Sequence, residues 1–452
     1  MSEKTPPAPD NGAGAARPVT LVRSMGLGAL VIYGIGDMLG SGIYALIGKA
    51  AGAMGGAVWL AFLVSMVAAL LTALSYASLG SRYPRAAGAA YVTHRAFGRT
   101  FLSYLVGLAV MASGLTSMAT QSRAFAEYGA ALMPGVPGPA LVVGFIVVLT
   151  LVNFWGMREA TWLNAVCTTV EVSGLLIVIA VGARYWGHGD YLLPPPGAVL
   201  GPTLVLQGAV LTFYSFIGFE DMINVVEEVR DPQRTFPRAV VLALVAVAAL
   251  YLAVAVTAVS VLAPTVLAQS KQPLVEVVVT AAPGFPPVVF SAIALFAITN
   301  TALLNYIMGS RLAYGMARQG LLPAVLGRLH PRRRTPHWAI LALMVIVLTL
   351  GLGFDLKPLA KATSVLLMAV FVVVNGALLV LQRKPGEPRG FFDVPMLVPA
   401  GGMLVSAALL GHAQLPEVRL AVALALGIVL LYLVQRPRGV TAETYAEAAE
   451  EA

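Results

Sequence analysis

The chain has 452 residues, of which 58% are hydrophobic and only 11% charged, and its mean hydropathy is +0.83. A soluble domain carries about a quarter charged residues, so the composition excludes a soluble globular protein and puts most of the surface in lipid. The formal net charge is +8, and the single cysteine, Cys167, excludes a disulfide framework or a zinc spacing.

The N-terminal stretch MSEKTPPAPDNGAGAARPVT is polar and rich in Pro, Ala and Gly. It lacks the apolar core of a signal peptide, and residues 1–22 read as a disordered cytoplasmic tail. Crossing a hydrocarbon core of ~30 Å takes roughly 20 apolar residues. Twelve such runs follow, near 25–48, 56–79, 100–122, 138–155, 162–183, 203–227, 238–262, 284–310, 337–353, 362–381, 396–412 and 418–434. Turn signals separate them: Tyr83-Pro84, Pro134 to Pro139, Pro194-Pro195-Pro196, Pro286-Pro287 and Pro385 to Pro388. The expected organisation is therefore one all-α polytopic domain of 12 transmembrane helices over residues 23–436. Residues 437–452 form an acidic, alanine-rich C-terminal tail. The five histidines are scattered, so no metal site or cofactor is expected.

The basic residues orient the chain. With both termini in the cytoplasm, 22 of the 29 Lys and Arg fall on inner segments, as the positive-inside rule requires. The basic balance is thus a topology signal. Arg332-Arg333-Arg334 is a short inner loop beside anionic headgroups, and no nucleic-acid partner is expected.

The first run contains GDMLGSGIYALIG, Gly36 to Gly48. In lipid, broken backbone survives only where it lines protein or a wet cavity. Gly40-Ser41-Gly42 is the expected break, since both glycines tolerate unusual dihedrals. The second half-helix would start there, with its amide N–H groups and the Ser41 hydroxyl suited to a carboxylate. Close packing of small residues, as in Gly36-x-x-x-Gly40, explains the glycines equally well. The sixth run, LTFYSFIGFEDMINVVEEVRDPQRTFP, tips the balance toward a break. It too is interrupted, at Ser215 to Gly218, and Glu220 and Asp221 follow. Paired interruptions in runs 1 and 6 are the sign of an inverted five-plus-five repeat with a substrate site at the bilayer midplane.

These motifs carry a family resemblance. GDMLGSGIYALIG resembles the first-span signature of the amino acid–polyamine–organocation (APC) superfamily. FYSFIGFED with EEVRDPQRTFPRAV is similar to its sixth span and following loop, and NTALLNYIMGSRLAYGMARQGLLPAVLGRLHP to its eighth span and inner loop. The resemblance spans roughly residues 20–436. It implies the five-plus-five bundle with broken helices 1 and 6 plus two extra helices, and amino acids, polyamines or related organic cations as substrates. It also implies roles: Gly40, Ser41 and Gly42 for the substrate carboxylate, and the unwound carbonyls of Tyr214, Ser215, Phe216, Ile217 and Gly218 for the amino group. Tyr214 falls where some relatives place an aromatic gate.

Ionisable groups at membrane depth are functional suspects. Asp37 lies twelve residues past Met25, roughly 18 Å along a helix. Glu171 lies nine past Trp162, roughly 14 Å into the fifth run. Glu220 follows the sixth-run break, where a helix-capping role and a coupling role are both open. Each carboxylate must be protonated, paired or facing a cation, so Asp37, Glu171 and Glu220 are candidates for proton or sodium coupling. Several superfamily carriers have a lysine where Glu171 falls, so their coupling chemistry does not transfer directly. The reading is a plasma-membrane secondary transporter (permease) of amino acids, driven by proton symport with alternating access. The alternative is an amino acid or polyamine exchanger. Less favoured readings are a channel, which would need a selectivity filter, and a membrane sensor, which would need a soluble output domain; an enzyme would need a convergent catalytic set and an ATP-driven pump a G-x-x-x-x-G-K loop, and none is recognised in the sequence.

Overall fold

In a computed structural model, the structure describes residues 25–83, 88–155, 160–318, 321–331, 333 and 335–435; the two tails lie outside the described residues. Helix is the regular structure here. The helices in chain order are α1 (Leu27–Met38), α2 (Ser41–Tyr44), α3 (Leu46–Met54), α4 (Val58–Arg82), α5 (Gly88–Phe97), α6 (Thr100–Leu132), α7 (Gly138–Trp155) and α8 (Ala160–Gly182). There follow α9 (Pro202–Thr212), α10 (Pro232–Val261), α11 (Pro264–Gln269), α12 (Pro273–Ala281), α13 (Pro287–Arg318), α14 (His337–Gly353), α15 (Leu356–Arg383), α16 (Leu397–His412) and α17 (Leu415–Gln435). A lone parallel bridge, Met25 to Val229, is the extended pairing among the described residues. Helices dominate because lipid leaves no other partner for backbone amides. Five of them, α9 to α13, open on proline, whose missing N–H costs nothing at a helix start.

Eight helical segments are long and apolar enough to cross a membrane, and four apolar helices are shorter: Leu27–Met38, His337–Gly353, Leu397–His412 and Val418–Val434. The first of these is short because the first run is broken. Its second part continues through α3 to Met54, beyond the expected edge at Gly48.

The helices sort into two packed groups. One holds α1, α3, α4, α9 and α10, with α4 against α10 and α9, and α1 against α10. The other holds α6, α7, α13 and α14, with α6 against α13 and α7 against α14. Helix α8 packs on α1, α10 and α13, and α15 on α6 and α9. Thus residues 27–82 pack with 202–261, and 100–155 with 287–353.

At one end of the molecule, α11 and α12 seat on α3. Gly48 faces the Leu267 carbonyl with no room for a Cβ, and Lys49 Nζ donates to the Ala268 carbonyl (3.2 Å). At the other end, the segment between α15 and α16 is fastened to α4 and α5. Arg82 donates to Asp393 (2.6 Å), joined by Ser78 (3.0 Å) and Gln382 (3.2 Å). Tyr83 and Arg95 donate to Glu387 (2.7 and 2.9 Å), and Lys384 lies 3.4 Å from its other oxygen.

Candidate functional site: the two helix breaks

The first run breaks between α1 and α2. Gly40 has φ 157 and ψ −149, a region open essentially to glycine alone. A Cβ there would stand 2.8 Å from Thr301 Oγ1 and 2.9 Å from Gln121 Nε2. The sixth run breaks after α9. It tightens into a 3-10 turn at Phe213–Phe216, passes through Gly218 at φ 125, and resumes as a 3-10 helix over Asp221–Glu228.

The two breaks abut. A Cβ on Gly42 would lie 2.6 Å from Ser215 Cα and 2.8 Å from its Oγ, and one on Gly218 would lie 2.8 Å from the Asp37 carbonyl carbon. Glycine at both positions lets two unwound main chains touch. Tyr214 ties them together: its hydroxyl is 3.3 Å from Ser41 Oγ and 3.2 Å from Ser117 Oγ on α6. Phe216 turns away into an aromatic cluster, with its ring 5.4 Å from Tyr251 and 6.4 Å from Phe62. Ile217 is buried, and its N–H donates to the Tyr214 carbonyl (3.3 Å).

The groups exposed by the break in the first run are taken by side chains from other helices. Ser41 N–H donates to Gln121 Oε1 on α6 (3.0 Å). Tyr251 on α10 donates to the Met38 carbonyl (2.7 Å), and Tyr128 on α6 to the Tyr44 carbonyl (2.5 Å). Thr301 on α13 donates to the Leu39 carbonyl. The amides of Gly42 and Ile43 sit in the first turn of α2, where a helix offers no internal acceptor.

The predicted carboxylates have different fates. Both oxygens of Asp37 and both of Glu171 are buried without a hydrogen-bond partner. Glu171 faces Asn300 and Asp37, but the Asn300 amide donates to Asn164 Oδ1 (2.9 Å). Glu220 makes no side-chain cap on the helix that follows. Its Oε2 instead accepts the Gly218 N–H (2.9 Å), across the break itself. Ser215 Oγ, almost wholly buried at 1% exposure, also has no partner.

The three motifs resemble one family, and direct comparison extends the likeness over the chain. Residues 26–434 match the amino acid permease family. The chain belongs to the amino acid permease family. This permease is 33% identical over 405 residues to an uncharacterized transporter of Mycobacterium tuberculosis, covering 87% of this chain and 90% of that one. It is 25% identical over 442 residues to the branched-chain amino acid permease BcaP of Bacillus subtilis, covering 92% and 94%. It is 30% identical over 348 residues to the chloroplastic cationic amino acid transporter 9 of Arabidopsis thaliana, covering 72% and 60%. Sequence reading of this APC permease missed Gln121, Ser117, Tyr128 and Tyr251. The first two had a signal. Ser113, Thr116, Ser117, Thr120 and Gln121 recur at helical spacing within an apolar run, a polar stripe on one face of α6.

Proposed function

We propose that this permease is a secondary active transporter that moves amino acids across the plasma membrane by proton symport with alternating access. The observation that carries the reading is the abutment of the two breaks, with Ser215, Asp37 and Glu171 buried beside them and unpartnered. Gly40, Ser41 and Gly42 take the substrate carboxylate, using the first-turn amides of α2 and the Ser41 hydroxyl. The carbonyls from Tyr214 to Gly218 take the amino group, since each keeps a lone pair to offer. Asp37, Glu171 and Glu220 carry the coupling ion, with a proton favoured over sodium.

The two helix groups support twelve spans arranged as a five-plus-five inverted repeat. Runs 1, 2, 6 and 7 pack together, and so do runs 3, 4, 8 and 9, as two halves of one design would. Two further helices, α16 and α17, complete it. In this arrangement residues 23–436 form the permease domain and both tails are cytoplasmic. The second reading is an amino acid or polyamine exchanger. It is favoured by the carboxylates that converge on the break, Asp37 lying within electrostatic reach of Asp221 and Glu220, which suits a cationic substrate.

Uptake in proteoliposomes tests the choice. Labelled L-leucine, L-arginine and putrescine are supplied with and without an inward proton gradient. Symport gives gradient-dependent accumulation of an amino acid into empty vesicles, whereas an exchanger moves label only when the lumen is preloaded. The Gly42→Val variant, whose branched side chain meets the Ser215 main chain, abolishes transport. Near-normal uptake by that variant would move the substrate site elsewhere.

A further inference from the structure

Gln121 projects from α6 into the break of the first run. Its Oε1 accepts the Ser41 N–H (3.0 Å), and its Nε2 lies 2.9 Å from where a Gly40 Cβ would stand. Gln121 is 1% exposed. A carboxamide oxygen held against the first amide after a helix break does what a carboxylate does there: it accepts a backbone N–H that the helix itself leaves without an acceptor. Beside it, Ser215 Oγ is buried against Gly42 with no partner. One backbone donor of the site is thus engaged from within the protein, and one buried hydroxyl beside it is unpartnered.

We propose that Gln121 is an internal stand-in for the substrate carboxylate: it holds the Ser41 amide in the empty carrier and yields it when substrate binds. This rests on the transport reading above and adds a residue to it. Two consequences follow from the geometry. Substrate must exchange an existing hydrogen bond for its own, so Gln121 lowers apparent affinity. In return the Ser41 amide stays satisfied in the carrier without substrate, so it reorients without one, and that return step is what net uptake needs and exchange does not.

The test compares Gln121→Ala and Gln121→Glu with the parent in two assays. The first is hydrogen–deuterium exchange of the segment 38–46 in purified, substrate-free protein. The second is uptake of labelled L-leucine and L-arginine into empty and into preloaded proteoliposomes. A typical hydrogen bond is worth a threefold to tenfold change, roughly. In Gln121→Ala the segment exchanges about that much faster, KM falls by a similar factor, and net uptake slows while exchange continues. In Gln121→Glu an ionised or hydrogen-bonded carboxyl accepts the same amide, so protection is kept and KM rises. A role confined to packing moves KM in the same direction for both variants, and so does a direct contact to substrate; either result overturns the proposal. Equal deuterium exchange in the parent and Gln121→Ala overturns it as well. If the parent carries neither labelled amino acid, the transport reading fails for those substrates, and the protection of segment 38–46 still decides whether Gln121 holds the break.

Discussion

The carboxylates buried at the helix breaks and those at the α4–α5 rim are the same chemical group in opposite circumstances. Glu387 has a side chain only 5% exposed, yet Tyr83, Arg95 and Lys384 surround it. Asp393 is held by Arg82, Ser78 and Gln382. Burial by itself raises both carboxyls. At Glu387 the hydrogen bonds from Tyr83 and Arg95 and the Arg95 charge outweigh it, and at Asp393 those from Arg82 and Gln382 do, so each is held below the usual carboxylate range. Asp37 and Glu171 are buried more deeply, at 1% and 0% exposure, and their carboxylate oxygens lack hydrogen-bond partners of this kind. An unpaired buried carboxylate costs several kcal/mol in stability terms, so such a site persists where something other than folding retains it. The comparison teaches that the partners around a carboxyl group, and not the group itself, decide what it contributes to the fold.

The sharpest separation is expected from Glu171→Gln, which copies the neutral carboxyl at nearly the same volume. One pH unit is worth ~1.4 kcal/mol, so one-to-one symport under a one-unit gradient accumulates substrate up to about tenfold. The variant equilibrates to unity, keeps exchange, and loses no thermal stability. Unchanged accumulation would break the comparison at its centre and pass the role to Asp37 or Glu220.

Removing a rim carboxylate has the opposite profile. Glu387→Ala leaves Tyr83 and Arg95 unpaired, and hydrogen bonds to charged groups are worth about 1.5–3 kcal/mol. Melting in detergent drops by a few degrees, while the accumulation ratio in the surviving protein is unchanged. A variant that melts normally but fails to accumulate would put Glu387 among the coupling groups.

Acid gives a third reading of the same contrast. Because Glu387 and Asp393 have depressed pKa values when folded, their contribution to stability is complete above the unfolded carboxylate range. It is lost as pH falls through that range toward the folded values. The parent therefore melts earlier in mild acid, and Glu387→Ala shows a flatter dependence; a steeper one would contradict the assignment. The smallest effect belongs to the exposed pair Arg123–Asp355 (2.6 Å), whose aspartate side chain is 83% exposed. Asp355→Asn changes stability by less than about 1 kcal/mol, and salt reduces even that.

The helices and both breaks were legible in the sequence because lipid imposes one rule on the backbone, and glycine, serine and proline mark where it is relaxed. Gly40 and Gly218 adopt the positive φ their composition permits. The partners were harder to read. Tyr128, Tyr251 and Thr301 serve main-chain carbonyls, and nothing in a carbonyl's own residue announces that need. The rim was illegible for another reason: Tyr83 and Glu387, or Arg82 and Asp393, lie some three hundred residues apart, and only the packing of α4 beside α15 and α16 brings them together.

The way the first break is held has a genetic consequence. Gln121, Tyr128, Tyr251 and Thr301 all bind backbone atoms of Met38, Leu39, Ser41 and Tyr44. A main-chain atom persists whatever side chain it carries, so no compensating substitution at the break can rescue a lost partner. Such contacts leave no paired covariation between positions as relatives diverge. A second-site suppressor of a defect at Tyr251 or Thr301 must therefore arise on another helix that can supply a fresh donor, and a search restricted to the glycine motif would find none.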